Sequence, residues 1–133
     1  MVDFRALDDK IQSNLQTSLG DLNRLCAQPS IAAQNIGVVE CAELIAELLL
    51  ARGFDVQIMP TKGFPVVYAE RKGRVDRTLL FYNHYDVQPP EPLELWDSPP
   101  FEPVIRKGKM FARGLSDDKG HILCRLAAMM SLL

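Results

Sequence analysis

The sequence predicts a protein of the α/β class, and two observations support that prediction. Three segments have apolar residues spaced three and four positions apart, which is typical of amphipathic helices. Between them lie short segments in which apolar and polar residues alternate, which is typical of half-buried strands. The length of 133 residues suits one small domain, and a hydrophobic content of 47% is ordinary for a globular core.

Two helices are predicted in the first half of the chain, over residues 3–25 and 38–52. The apolar stripe of the first is more often core than a dimer seam, and it consists of Phe4, Leu7, Ile11, Leu15, Leu19, Leu22 and Leu25. Gly53 is expected to cap the second helix, because a left-handed backbone is favoured after a helix end. Its inward side chains are predicted to be Val38, Cys41, Ala42, Ile45, Leu48 and Leu49.

Strands are predicted over residues 54–58, 64–70 and 78–83. The third is apolar on both faces, so we expect it at the centre of a sheet. Residues 102–105 and 110–112 are predicted to form a β-hairpin around Lys107-Gly108-Lys109.

The segment from Val87 to Phe101 is rich in proline, so no regular element is expected there. Its single tryptophan, Trp96, favours a loop that docks on the domain. The last helix is predicted from about Asp118, and no stop signal follows its apolar stripe. We therefore expect an exposed apolar surface near Leu133 that binds a partner.

Composition excludes several classes of function. The net charge is −2 with a pI near 5.6 and no basic cluster, which argues against binding to nucleic acid or to an anionic membrane. No apolar run approaches the length of a membrane span, and the N-terminal residues lack the apolar core of a secretory signal. The three cysteines, Cys26, Cys41 and Cys124, have no metal or disulfide spacing, so we expect reduced, buried thiols in a cytoplasmic protein.

The residues with the clearest chemical potential are His84 and Asp86, which end the third predicted strand. On a strand they would project from one face while Tyr85 projects from the other. A neutral imidazole is a good zinc ligand, and a ligating histidine usually donates its other ring N–H to a carboxylate, the role expected of Asp86. Asp117 and Asp118 come at the start of the last helix, where negative charge is favoured. From spacing alone, ordinary packing and a helix cap are the more common explanations.

Four segments in close succession add a specific resemblance. They are Asn83-His84-Tyr85-Asp86-Val87-Gln88-Pro89 and residues 96–103, 108–114 and 116–120. Their text resembles peptidase family M20, the metallopeptidase family of aminoacylases, carnosinases and glutamate carboxypeptidases, and most of all its carnosinase-like dipeptidase branch. The resemblance implies the N-terminal part of a zinc-exopeptidase-like catalytic domain, with three layers in the order helix, sheet, helix.

That resemblance implies a role for each candidate residue. His84 would bind one of two divalent metal ions, zinc with manganese or cobalt as alternatives, and Asp117 would bridge both. Asp86 would be the catalytic carboxylate that holds the His84 ring, and the Asp117–Asp118 peptide bond would be cis. Lys119 is predicted to be a solvated or capping residue rather than a substrate clamp, and His121 a helix-surface residue outside the site.

The resemblance also implies that much of the site is absent from the sequence. Relatives have a glutamate pair further along the chain, whose first member is the general base, and later an aspartate and a histidine ligand. None of these can be assigned within the 133 residues. The predicted function is a metal-dependent hydrolase of dipeptides or N-acyl amino acids, of which this chain has half a site and little activity alone. The alternative is a catalytically silent module that associates with itself or with another chain.

Overall fold

A computed structural model describes residues 4–133, so the predicted helix start at Asp3 lies outside the described residues. Within residues 4–133 there are three α-helices, α1 (Phe4–Ala27), α2 (Val38–Leu50) and α3 (Gly120–Leu132). Two antiparallel hairpins accompany them, so the α/β class is confirmed.

The hydrophobic core lies where the three helices meet. Its buried members are Leu25, Cys41, Ile45, Leu123 and Leu126. The hairpin over residues 55–70 covers α2. Val67 of this hairpin and Phe54, which directly precedes it, both pack against the same cluster. Gly53 has the left-handed backbone that was predicted, with φ +74°, although α2 itself ends three residues earlier at Leu50.

The prediction that the whole apolar stripe of α1 is core was wrong for its N-terminal half. Phe4, Ile11 and Leu15 are 69%, 42% and 39% exposed, whereas Leu25 is fully buried. The physical reason is length, because α1 has 24 residues and its partner α3 has 13. At 1.5 Å per residue the longer helix extends beyond the surface that covers its C-terminal half.

The first hairpin pairs β1 (Asp55–Met59) with β2 (Val66–Glu70), and the second pairs β3 (Val104–Arg106) with β4 (Lys109–Phe111). The turn residues of the second, Lys107 and Gly108, both have positive φ angles of 51° and 74°. That conformation matches the right-handed twist of the flanking strands, so the predicted hairpin is confirmed.

The predicted central strand over residues 78–83 was wrong. This segment pairs with neither hairpin, and Leu79, Leu80 and Tyr82 are 76%, 83% and 83% exposed. An apolar sequence favours a strand only where a neighbouring strand can accept its backbone hydrogen bonds. Within residues 4–133 no such neighbour lies beside it.

The proline-rich loop is docked, as predicted from Trp96. The indole Nε1 donates to the Pro90 carbonyl at 2.8 Å, and the Arg113 guanidinium lies over the ring at 5.0 Å. The only helical residues of the loop form the short turn Leu93–Leu95. None of the helices between residues 4 and 133 is long and apolar enough to cross a membrane.

All three cysteines are free, and Cys26 and Cys41 are buried as predicted. Cys124 is exposed, so the prediction of buried thiols was wrong for this residue. It follows the buried Leu123 by one position and therefore lies on the outer face of α3.

Candidate metal centre

The segment that bears His84 is anchored to the core through its neighbours. The Tyr85 ring packs against the core, and its carbonyl accepts a hydrogen bond from Ser30 Oγ at 2.6 Å. Two residues on, the Val87 N–H donates to the Ser30 carbonyl at 2.8 Å. His84 is consequently left on the outer side, with its side chain 43% exposed.

Asp117 is presented by a wide helical turn, Leu115–Lys119, that precedes α3. The turn is closed by the Lys119 N–H donating to the Gly114 carbonyl at 3.0 Å, and Asp117 within it has the extended angles φ −145° and ψ 92°. The Asp117–Asp118 peptide bond is cis, as predicted. The Asp117 side chain is 79% exposed and reaches over the turn toward His84.

The two predicted ligands meet at this point. His84 Nε2 lies 2.9 Å from Asp117 Oδ1, although the residues are 33 positions apart in the chain. The other ring nitrogen, Nδ1, lies 3.1 Å from the Asp86 carbonyl and 3.2 Å from Asp86 Oδ1. His84, Asp86 and Asp117 therefore form one continuous polar cluster.

Both nitrogens of the His84 ring face acceptor oxygens. Burial lowers the pKa of His84, but the contacts with Asp117 and Asp86 outweigh it and hold the pKa above its usual value. Acceptors on both sides favour the ring form with two N–H groups. A cation in place of the Nε2 proton would preserve the Nδ1 contact with Asp86, the arrangement common to histidine ligands.

Asp118 has a different role from Asp117, because its carboxylate faces inward. Oδ2 accepts from Asn83 Nδ2 at 2.7 Å and from the His84 N–H at 3.3 Å, and Oδ1 contacts His121 Nδ1. Burial raises the pKa of Asp118, but the hydrogen bonds from Asn83 and His121 outweigh it and hold the pKa below its ordinary value. His121 is exposed on the helix surface, as predicted.

Lys119 is fully buried, so the solvated alternative for this residue was wrong and a capping role was right. Its Nζ donates to the Leu25 carbonyl at 3.0 Å and to the Gln28 carbonyl at 2.6 Å. Leu25 lies in the last turn of α1, whose carbonyls lack helical partners, and Gln28 follows the end of the helix at Ala27. Sequence reasoning could not identify them as acceptors, because Leu25 lies 94 positions away.

The His84 imidazole and the Asp117 carboxylate are suited to bind a divalent cation. They are only two ligands, which limits the metal binding that the described residues can provide. Imidazole nitrogen and carboxylate oxygen are ordinary zinc ligands, and two such donors on a tetrahedral ion lie roughly 3.3 Å apart. The observed 2.9 Å would need only a small opening. Within residues 4–133 there is no group of three or more histidine, cysteine, aspartate or glutamate side chains placed to hold a metal ion.

Comparison with known proteins gives consistent results. The model of the family described as Peptidase family M20/M25/M40 matches residues 80–133. The succinyl-diaminopimelate desuccinylase of Aromatoleum aromaticum is 37% identical over 105 residues, which is 79% of this chain and 26% of that protein. The corresponding enzyme of Methylibium petroleiphilum is 36% identical over 119 residues, 85% of this chain and 30% of that protein.

Solved structures agree. An M20 family metallo-carboxypeptidase from Sulfolobus solfataricus superposes with a TM-score of 0.83 at 40% identity, covering 86% of this chain and 26% of that one. A di-peptidase from Saccharomyces cerevisiae gives 0.84 at 26% identity, covering 98% and 31%. The chain thus spans between a quarter and a third of the length of the relatives it matches.

Proposed function

Because this chain belongs to peptidase family M20, a family of metal-dependent hydrolases, we propose that it forms one side of a di-metal site that hydrolyses amide bonds. The observation that supports the proposal most directly is the 2.9 Å approach of His84 Nε2 to Asp117 Oδ1. The imidazole and the carboxylate come from distant parts of the chain and meet at one exposed point. The carboxylate of Asp86 contacts the other ring nitrogen of His84.

Each residue has a defined part in this proposal. His84 would hold one divalent ion through Nε2, Asp117 would be shared between that ion and a second, and Asp86 would keep the imidazole oriented through Nδ1. When bound, the metals supply Lewis-acid polarisation of the amide carbonyl and activation of water. Zinc is the proposed metal, with manganese or cobalt as alternatives.

The substrates we propose are dipeptides or N-acyl amino acids. The names of the relatives, a desuccinylase, a carboxypeptidase and a di-peptidase, all describe removal of a group joined through an amide bond. The cytoplasm is the proposed location, without a nucleic-acid or membrane partner.

We further propose that the 133 residues hold only part of the site. Catalytic zinc usually has three protein ligands, and His84 and Asp117 supply at most two for either ion. The remaining ligands and the general base would come from a further part of the enzyme. Reading the coding sequence downstream of Leu133 tests this directly, and a Glu-Glu pair a few tens of residues on is the expected result.

Calorimetric titration with zinc, manganese and cobalt tests the metal site itself. We expect His84→Ala and Asp117→Asn each to weaken binding tenfold or more, while Asp55→Asn, an exposed aspartate on β1, binds as the unchanged protein does. Undiminished binding in both site variants would contradict the proposal. Dipeptide turnover by the 133 residues at the level of an intact hydrolase would show that the count of missing ligands is wrong.

The alternative, a silent self-associating module, is supported by the exposed apolar segment over residues 79–82. Native mass spectrometry separates the two proposals. A defined oligomer without bound metal after zinc exposure favours the silent module, whereas a zinc-loaded species that is lost in His84→Ala favours the hydrolase.

A further inference from the structure

We propose that Asn83 is a positioning residue of the candidate metal centre, and that its side-chain amide sets the separation of His84 from Asp117. In this proposal Asn83 does not bind the metal; it acts by positioning His84 relative to Asp117. The inference rests on the proposed function only in taking His84 and Asp117 as the metal-binding pair.

The candidate pair needs such a device, because His84 follows a segment with no sheet to hold it. Residues 78–83 pair with no strand between residues 4 and 133. After His84, the Tyr85 carbonyl and the Val87 N–H both bond to Ser30, so the side of His84 that lacks an anchor to the core is the one before it. Asp117, by contrast, lies on a closed turn joined directly to α3.

Asn83 fills this role by joining the two sides. Its Nδ2 donates to Asp118 Oδ2 at 2.7 Å, while its Oδ1 accepts from Arg125 Nη1 at 2.8 Å. The same Arg125 nitrogen donates to the Tyr82 carbonyl at 2.7 Å. Asp118 and Arg125 both belong to the turn and helix that present Asp117, so the segment before His84 is held to that side at three points.

The contact between Asn83 and Asp118 lies directly beside the metal-binding pair. Asn83 immediately precedes His84, and Asp118 immediately follows Asp117. The Asn83–Asp118 hydrogen bond therefore lies one residue behind the 2.9 Å contact between His84 and Asp117. The His84 N–H donates to the same Asp118 oxygen at 3.3 Å, which is a second hydrogen bond between the two segments.

The polarity of this network is specific, which makes it testable by exchange. An amide nitrogen faces the carboxylate of Asp118 and an amide oxygen faces the guanidinium of Arg125. In Asn83→Asp two carboxylates would face each other at hydrogen-bond distance, and like charges so close repel. The double exchange Asn83→Asp with Asp118→Asn restores one donor and one acceptor between them and keeps an acceptor for Arg125, but the His84 N–H loses its acceptor at position 118.

The experiment compares the unchanged chain with Asn83→Asp, Asn83→Ala, the double exchange and Asn23→Asp, an exposed position on α1. Three quantities are measured on each: the thermal unfolding midpoint, the cross-relaxation between His84 ring protons and Asp117 side-chain protons in metal-free protein, and the zinc dissociation constant. Asn83→Ala guards against the failure of Asn83→Asp to fold.

We expect Asn83→Asp to lose the His84–Asp117 cross-relaxation and to weaken zinc binding by about 10- to 100-fold, the range for residues that orient metal ligands. Asn83→Ala should show a smaller loss, the double exchange should recover part of both signals, and Asn23→Asp should change neither. A purely structural role would lower the unfolding midpoint without recovery of zinc affinity in the double exchange.

The inference is overturned if folded Asn83→Asp and Asn83→Ala keep both the cross-relaxation and the zinc affinity of the unchanged chain. It is equally overturned if the double exchange recovers neither. A chain that binds no zinc would refute the proposed function, but the metal-free cross-relaxation would still decide whether Asn83 positions His84.

Discussion

Lys119 joins the turn that presents Asp117 to the end of α1 through a fully buried ammonium group. Burial lowers the pKa of Lys119, while the neighbouring Cys41 and Cys26 partly offset that effect. The carbonyls of Leu25 and Gln28 compensate the amine for lost water. Lys119 is therefore an internal connection between the end of α1 and the turn that presents Asp117.

Replacing Lys119 by methionine should lower the free energy of unfolding by about 1–3 kcal/mol, because two buried carbonyls lose their donor while the apolar stem is retained. Urea denaturation measures the change. The matched control is Lys62→Met, at an exposed loop position, which we expect to stay within about 0.5 kcal/mol. Equal stability of the two variants would show that the Lys119 contacts contribute nothing.

The buried thiol of Cys26 predicts a loss of stability at alkaline pH. Burial raises the pKa of Cys26 from 9.0 to about 11, against a smaller lowering effect of Lys119. The unfolded chain releases this proton near pH 9, so the stabilising contribution is complete below pH 9 and is lost as pH rises through about 11.

Cys26→Ala should therefore reduce the fall in unfolding free energy between pH 8 and pH 10.5. Cys41, whose pKa burial also raises, leaves part of the fall in place. Chemical denaturation across this range measures it, with Cys124→Ala, at an exposed thiol, as the control that keeps the full slope. An unchanged slope in Cys26→Ala would contradict the assignment.

Among the elements, the helices and the second hairpin could be predicted because their signals are local. Apolar spacing of three and four residues defines α2 and α3, and Lys107-Gly108 defines a hairpin turn. The segment over residues 78–83 could not be predicted correctly, since its apolar text is the same whether or not a partner strand is present. The contacts of Asn83 and Lys119 could not be predicted from the sequence either, because each joins residues far apart in the chain.

The turn that presents Asp117 depends on Gly114 for two reasons. Its φ is +80°, and a Cβ there would lie 2.6 Å from Val87 Cγ1 and 3.2 Å from Lys119 Cδ. Gly108 has a similar φ of +74° with nothing within 4 Å of the added Cβ. Comparing substitutions at the two glycines therefore distinguishes the cost of the backbone conformation from the cost of the close contact with Val87 and Lys119.

Gly108→Ala should cost about 1–2 kcal/mol of unfolding free energy, from backbone conformation alone. Gly114→Ala should cost more, because Val87 and the buried Lys119 must also shift, and Val87→Ala in the same chain should recover part of the excess. Thermal or urea unfolding of the three variants and the unchanged chain measures this. Equal losses at the two glycines would contradict the close approach.

At the scale of the whole molecule, the exposed apolar segment over residues 79–82 is the surface that we expect to drive self-association. Leu80 is 83% exposed and lies on an extended segment without strand partners in the described chain. Apart from the Tyr82 carbonyl, which accepts from Arg125, such a segment offers both apolar side chains and backbone groups to another strand. The chain matches only 26% of its relative from Aromatoleum aromaticum, so further parts of the enzyme are the proposed natural cover.

Leu80→Glu should reduce concentration-dependent self-association while leaving the unfolding free energy within about 0.5 kcal/mol, because the side chain has little to lose on the folded surface. Sedimentation velocity over a range of concentrations measures it, and Gln57→Glu, at an exposed position on β1, provides the control. Association that persists unchanged in Leu80→Glu would place the contact elsewhere.

The central claim is that an imidazole from the 83–89 segment and a carboxylate from the turn before α3 bind the same cation. Crystals soaked in zinc and measured by anomalous diffraction at the zinc edge test it most directly. The account predicts an anomalous peak within roughly 2.0–2.2 Å of both His84 Nε2 and Asp117 Oδ1. A peak confined to Cys124 or His121, or density in which His84 and Asp117 keep their direct contact in saturating zinc, would contradict it.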